Sequence, residues 1–326
     1  HTPKRCLLYL TKLLLILSLE RKTKAYYLAF LHEDKPMRSC PAVAQNANTD
    51  TKVNNQALQN RNRAFSFWTK LAASVAFGSF LFGSAPALSQ SLSDKTLVIA
   101  VAVAPPFIDI TDDFHKPKGV DVALIKELQK RTGFKTHKDE MAMMTLDEMV
   151  ALGRSGKADI VAGALSATAD RSAHYSVTKP YVYNSVCMVT RANDTIDDIK
   201  DLQNRTLAIQ IGTNVTSIAA QNPGMHLYEV SSAFMTFYAV ATGKADALLV
   251  DEIIALEYIK TWPNAGLKVA YRLPNTETGI ALFFKKDSPI SRELQKTYQD
   301  MLDDGTVDKI VRDKLGTYID LLTVNN

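Results

Sequence analysis

Two rhythms of apolar residues alternate along most of the chain. Residues 97–103 form a short β-rich run closed by Ala104-Pro105-Pro106. Val120–Thr132 carries Val122, Leu124, Ile125 and Leu128 at helical spacing, with Gly133 as its stop signal. Residues 146–152 read as a second helix leading into Gly156-Lys157-Ala158-Asp159 and the strand 160–164. The phrase then recurs: a helix over 234–241 leads into Gly243-Lys244-Ala245-Asp246 and the strand 247–250. A further strand, 206–211, ends in Gly212-Thr213-Asn214 and opens a helix near Val215. Alternating helices and strands predict an α/β fold with parallel sheets, and the repeated unit predicts two similar lobes.

The first part of the chain follows another pattern. Residues 71–87 carry no charge, follow Arg61, Arg63 and Lys70, and end in Ala85-Pro86-Ala87. Basic region, apolar run and small-residue site make 61–87 a secretory signal peptide cleaved near Ala87. The run is too short and too rich in Gly and Ser for a spanning helix, which needs about 20 apolar residues. Residues 1–60, in which the first Met is Met37, read as an upstream leader: translated upstream sequence or a long n-region. Residues 1–87 hold 12 Lys+Arg against 4 Asp+Glu, which leaves 26 against 30 of the totals of 38 and 34 for residues 88–326. The formal charge of +4 therefore belongs to the leader, and the mildly acidic body is not a nucleic-acid binder. Beyond Cys6 and Cys40 of the leader, the body keeps only Cys187, which reads as a buried strand residue. The four body histidines, His115, His137, His174 and His226, lack ligand spacing, so neither metal nor cofactor is expected.

Open α/β sheets bind ligands beyond the carboxyl ends of their strands. The residues there are polar: Ser166-Ala167-Thr168-Ala169-Asp170-Arg171 after one strand, Gly212-Thr213-Asn214 after another, Asp251-Glu252 after a third. Arg171 offers a planar fork of donors suited to a carboxylate, while Ser166 and Asn214 add neutral hydrogen bonds. Asp251 brings a negative charge from the second repeat. One cation, one anion and short hydroxyls match a zwitterion with α-carboxylate and α-ammonium. No G-x-x-x-x-G-K-[ST], G-x-G-x-x-G or G-x-S-x-G occurs, so phosphate-loop, dinucleotide and serine-hydrolase chemistry find no motif.

Over residues 95–320 the chain resembles the family-3 extracellular solute-binding proteins, the periplasmic amino-acid receptors of ABC importers. The resemblance rests on Pro106-Phe107, Gly119-Val120-Asp121-Val122, Ser166-x-Thr168-x-x-Arg171, Lys179-Pro180-Tyr181, Gly212-Thr213, Asp251, Gly279-Ile280-Ala281 and Asp304-Gly305-Thr306-Val307-Asp308-Lys309-Ile310. It implies a type II periplasmic-binding-protein fold, two α/β lobes joined by crossing hinge strands. Lobe 1 is then 94–188 plus 280–326 and lobe 2 is 189–279, with crossings near 187–191 and 277–281. By position, Arg171 and Ser166 hold the ligand carboxylate with Asn214 and Thr213, Asp251 takes the ammonium, and Leu146 and Phe107 lie against the ligand. The implied partners are a small zwitterion and an ABC permease, with the receptor a monomer. Two features depart from the family's pattern. Val101-Ala102-Val103-Ala104-Pro105 lacks the usual aromatic residue, and it lacks the Asp that members binding basic or amide side chains carry. Two rival readings share the fold: a cyclohexadienyl (arogenate/prephenate) dehydratase-like enzyme and a membrane-tethered ligand-sensing domain.

Overall fold

The computed structural model describes residues 92–110 and 115–324. The leader, the signal peptide with its cleavage site, and Cys6 and Cys40 lie outside the described residues. Among the described residues no helix is long and apolar enough to cross a membrane.

Two five-stranded sheets carry the architecture. In the first, the order is Ala142–Met143, Ile99–Val101, Ile160–Ala162, Phe283–Lys285, Tyr175–Val177. In the second it is His226–Val230, Thr206–Gln210, Ala247–Asp251, Val186–Arg191, Leu267–Arg272. Each sheet has three parallel strands, then one antiparallel strand fed from the other half of the chain, then an outer strand. Helices cover both faces of both sheets, so the strands are apolar on both sides. Ala100, Val161 and Phe283 face Met149 and Leu152 of the helix Leu146–Arg154. Their neighbours Ile99, Val101, Ile160, Ala162 and Phe284 face Leu124, Leu128, Leu294 and Leu315. The second sheet repeats this: Leu207, Ile209 and Leu249 meet Val215 and Ala219, while Ala208 and Leu248 meet Phe237 and Val240. This period-2 alternation is set by the pleat.

The repeated Gly-Lys-Ala-Asp phrase has a structural reason. In each copy the Asp pins the strand it begins to the strand beside it. The amide of Asp159 donates to the Val98 carbonyl at 2.8 Å, and its Oδ2 accepts from the Val98 amide at 2.9 Å. Asp246 does the same with Thr206, at 2.8 Å and 2.9 Å. The Lys amide closes the preceding helix, onto the Leu152 carbonyl in one copy and Ala239 in the other.

Most predicted elements fall where the spacing put them, with shifts of a few residues. The helices are Val120–Thr132, Leu146–Arg154, Val215–Ala220 and Ala233–Ala241. The run 97–103 divides into Thr96–Leu97 and Ile99–Val101. Cys187 is fully buried in a strand, where burial pushes its thiol pKa up with Glu252 and Asp251 adding to the effect. The passage between lobes differs from expectation. Val186–Arg191 lies wholly in the second sheet, so the chain leaves the first lobe before Cys187. The two-stranded link is Val182–Asn184 paired antiparallel with Thr278–Ile280. Ser185 divides what reads in sequence as one strand. The second crossing lies within 277–281, as expected. At the far end, Arg131 holds Asp304 at 2.7 Å and the Thr306 hydroxyl at 2.8 Å, fixing the start of the last helix, Thr306–Val324, against Val120–Thr132.

Gly119 is the tightest point of this scaffold. Its φ is 125°, and a Cβ there would stand 2.1 Å from the Phe107 carbonyl oxygen. Backbone overlap and a conformation hostile to L side chains act together. Gly119→Ala should destabilise the fold by about 3 kcal/mol. For a body of this size that lowers Tm by roughly 6–12 °C. A melting curve within a degree of the parent would show that this turn relaxes freely.

Candidate functional site

The carboxyl ends of four parallel strands, two from each sheet, converge on one cavity. Ala102–Ala104 follow the strand Ile99–Val101, and Gly163–Ser166 follow Ile160–Ala162. From the second sheet come Gln210 with Thr213–Val215, and Leu249–Asp251. The space between these loops, open solvent at its mouth included, is about 580 Å³.

Arg171 reaches this cavity from the short helix Ala169–His174, whose N-cap Thr168 accepts the Arg171 amide through Oγ1 at 3.3 Å. Its side chain is buried, and its two arms divide between the walls. Nη1 donates to the Ser166 carbonyl at 3.1 Å, and Nη2 donates to the Gly212 carbonyl at 3.2 Å. Burial lowers its pKa, and the negative charge of Asp251 works in the opposite direction. A guanidinium stays protonated through such a shift. Gly212 has φ 86°, and a Cβ on it would lie 3.1 Å from the Asp147 backbone. A bare α-carbon lets the two walls meet at this point.

Asp251 ends the strand Ala247–Asp251 and is the N-cap residue of the helix Glu252–Thr261, without a side-chain cap bond. Its Oδ1 is buried and makes no hydrogen bond. Burial raises its pKa to about 6, against the opposing pull of Arg171 and the nearby Asn184 amide. Asn184 sits in the hinge strand Val182–Asn184, where its Oδ1 accepts the Ile253 amide at 3.1 Å and its Nδ2 has no hydrogen-bond partner. Arg171 and Asp251 thus face one cavity, and Asn184 stands beside Asp251 just outside its lining.

Of the sequence-predicted residues, Arg171, Ser166, Asp251, Asn214, Thr213 and Leu146 all line this cavity. Thr213 already spends its hydroxyl on the Gln210 carbonyl at 2.7 Å, while Asn214 is the N-cap residue of Val215–Ala220 with its side chain unused there. Phe107 is the correction. The turn Ala104–Ile108 folds back on itself, with the Phe107 amide on the Ala104 carbonyl at 2.8 Å. This turns the ring into the core against Tyr181, fully buried and away from the cavity. Sequence reasoning also missed residues. Gln210 and Thr236 line the cavity, one from a strand end and one from a helix that read only as core.

Asp121 was visible only as part of the Gly119–Val122 pattern. It is fully buried, accepts the Ala164 amide at 3.1 Å through Oδ2, and accepts the Tyr181 hydroxyl through Oδ1. Burial raises its pKa to about 6 despite those bonds. Its task is structural: it holds the backbone at Ala164, a non-glycine residue at φ 56° on the cavity wall. Among the described residues no cluster of His, Cys, Asp and Glu could hold a metal ion.

Comparison with known proteins places the chain in a family. The pattern of the bacterial extracellular solute-binding proteins, family 3, matches residues 97–317. A probable amino-acid ABC transporter-binding protein of Haemophilus influenzae is 28% identical over 242 residues, covering 74% of this chain and 92% of its own. The L-cystine-binding protein TcyA of Bacillus subtilis is 27% identical over 212 residues, covering 65% of this chain and 77% of its own. Among solved structures, an ancestral arginine-binding protein bound to arginine superposes with TM-score 0.61 at 27% identity, covering 67% of this chain and 97% of that one. The fold is the two-lobed type II arrangement of periplasmic binding proteins, and the chain belongs to the bacterial extracellular solute-binding proteins, family 3.

Proposed function

We propose that this protein is a periplasmic receptor that binds an amino acid between its lobes and delivers it, as a monomer, to an ABC import permease. One observation carries the reading: a buried guanidinium and a buried, unpartnered carboxylate oxygen face the same cavity from opposite lobes. An α-amino acid presents the complementary pair. Its carboxylate would take the outer edge of the Arg171 fork, with Asn214 and the loop around Thr213 donating from the other lobe. Its ammonium would meet Asp251 and supply the partner that Oδ1 lacks. The relatives described as an amino-acid transporter-binding protein and a cystine-binding protein support the same ligand class. Closure would exclude water and strengthen both charge-assisted contacts. The dehydratase-like alternative gains nothing from these relatives, and Asp251 is accounted for by the ammonium without a proton-transfer role.

Three measurements test this reading. Arg171→Lys keeps the charge and loses the planar fork, forfeiting about 1.5–3 kcal/mol of charge-assisted hydrogen bonding. Calorimetric titration with the bound amino acid should show affinity reduced roughly ten- to a hundredfold. An unchanged Kd would remove Arg171 from the site.

Binding should also weaken in acid. With its ligand-free pKa raised to about 6, Asp251 protonates as pH falls through that value and ceases to attract an ammonium. Affinity is then full above about pH 6 and drops by about tenfold per unit well below it, until the bound-state pKa is reached. Asp251→Asn should bind weakly at every pH with a flat profile; a slope retained in that variant would assign the titration to another group. Finally, the N-terminus of the exported protein should begin within a few residues after Ala87. Sequencing that finds residues 71–83 retained would make that stretch an anchor.

A further inference from the structure

Building on the amino-acid reading, we infer that the ligand's side chain is uncharged. Among the described residues the cavity wall carries one cation, Arg171, and one anion, Asp251. Both are matched once the α-carboxylate and α-ammonium are in place. What remains for the side chain is neutral: Ala102, Val103, Leu146, Val215 and Ile254, with Gln210 among the few polar groups.

The other acidic residues near the site do not reach it. Asp121 lies behind the wall, occupied by Tyr181 and the Ala164 amide. Glu252 is buried against Arg272, with Oε1 accepting from Nε at 2.7 Å. Asp147 packs against Gly212 outside the lining, and its Oδ1, though buried and without a hydrogen-bond partner, is not part of the cavity wall. A guanidinium or ammonium on the ligand side chain would therefore meet no second counter-charge on the wall formed by the described residues, and burying an unpaired ion on closure is costly.

Acidic side chains meet the same obstacle. Arg171, the one cation on the wall among the described residues, is committed to the α-carboxylate. The helix N-termini at Leu146 and Ala233 could otherwise attract an anion. Both are already capped from within the chain, by Thr145 with Glu148 and by Ser232. Among the described residues no aromatic side chain lines the cavity, so a cation finds no ring face there to stack on either.

The test is a calorimetric panel on the full exported protein, freed of co-purified ligand by unfolding and refolding. It uses alanine, valine, leucine, serine and glutamine against arginine, lysine, glutamate and aspartate. At least one uncharged amino acid should bind about a hundredfold or more tightly than every charged one. If arginine, lysine, glutamate or aspartate binds as well as the best uncharged residue, this inference falls while the amino-acid reading stands. If no α-amino acid binds, the reading beneath it falls too.

Discussion

The desolvated guanidinium of Arg171 is the constraint around which this molecule is organised. Taking such a group out of water is expensive unless its donors are met. The chain meets two of them with backbone carbonyls, Ser166 on its own lobe and Gly212 on the opposite one. It then sets Asp251 near enough to offset the charge without forming a direct pair. That choice has consequences outward. Gly212 must lack a side chain, because the Asp147 backbone approaches it closely. Ser166 must be held in register, and it is: Ala167 donates to the Gly279 carbonyl at 2.8 Å and Ala281 to Leu165 at 3.1 Å, tying the loop to the hinge strand. The loop that carries the cavity-lining Ser166 and the strand that links the two sheets are thus joined by two hydrogen bonds.

The two lobes solve one problem twice. Each uses a helix, a Gly-Lys-Ala-Asp turn and a strand whose first Asp staples it to its neighbour, and each places ligand-facing residues just past strand ends. The antiparallel strands show why the halves depend on each other. Phe283–Lys285 enters the first sheet only after the whole second lobe has been traversed, and Val186–Arg191 enters the second directly from the hinge. Contact between the lobes is not confined to the cavity. Tyr318 of the last helix bonds Glu257 and accepts from Lys260 at 3.3 Å, both on the helix Glu252–Thr261.

What could be read in the sequence was what local physics writes there. Period and stop signals gave Val120–Thr132 its full span, and the duplicated Asp159 and Asp246 announced the two sheets. Polar residues after apolar strands located five of the cavity-lining side chains, because strand ends in this class of fold face the crevice, and Leu146 came only from the family resemblance. The failures are tertiary. Phe107 follows a strand just as the true lining residues do, and only the fold-back onto Ala104 sends it inward. Gln210 and Thr236 sit in runs whose periodicity signals burial, and periodicity cannot tell a core from a cavity wall. Val186 belongs to the second sheet because of its pairing with Asp251, a partner far along the chain.

The late arrival of Phe283–Lys285 bears on how the chain is made and moved. The second sheet is built from one continuous stretch, 186–272, and is complete in sequence before the final strand of the first exists. The first sheet must wait for a strand that lies between Ile160–Ala162 and Tyr175–Val177, and for Leu282, whose amide bonds Thr178 across 104 residues. Contacts of such long sequence separation form slowly, since loop closure precedes any gain. During synthesis the N-terminal half therefore emerges with its central seam open. A seam that waits for a strand at Phe283–Lys285 of a 326-residue chain keeps that half from locking until synthesis is nearly complete.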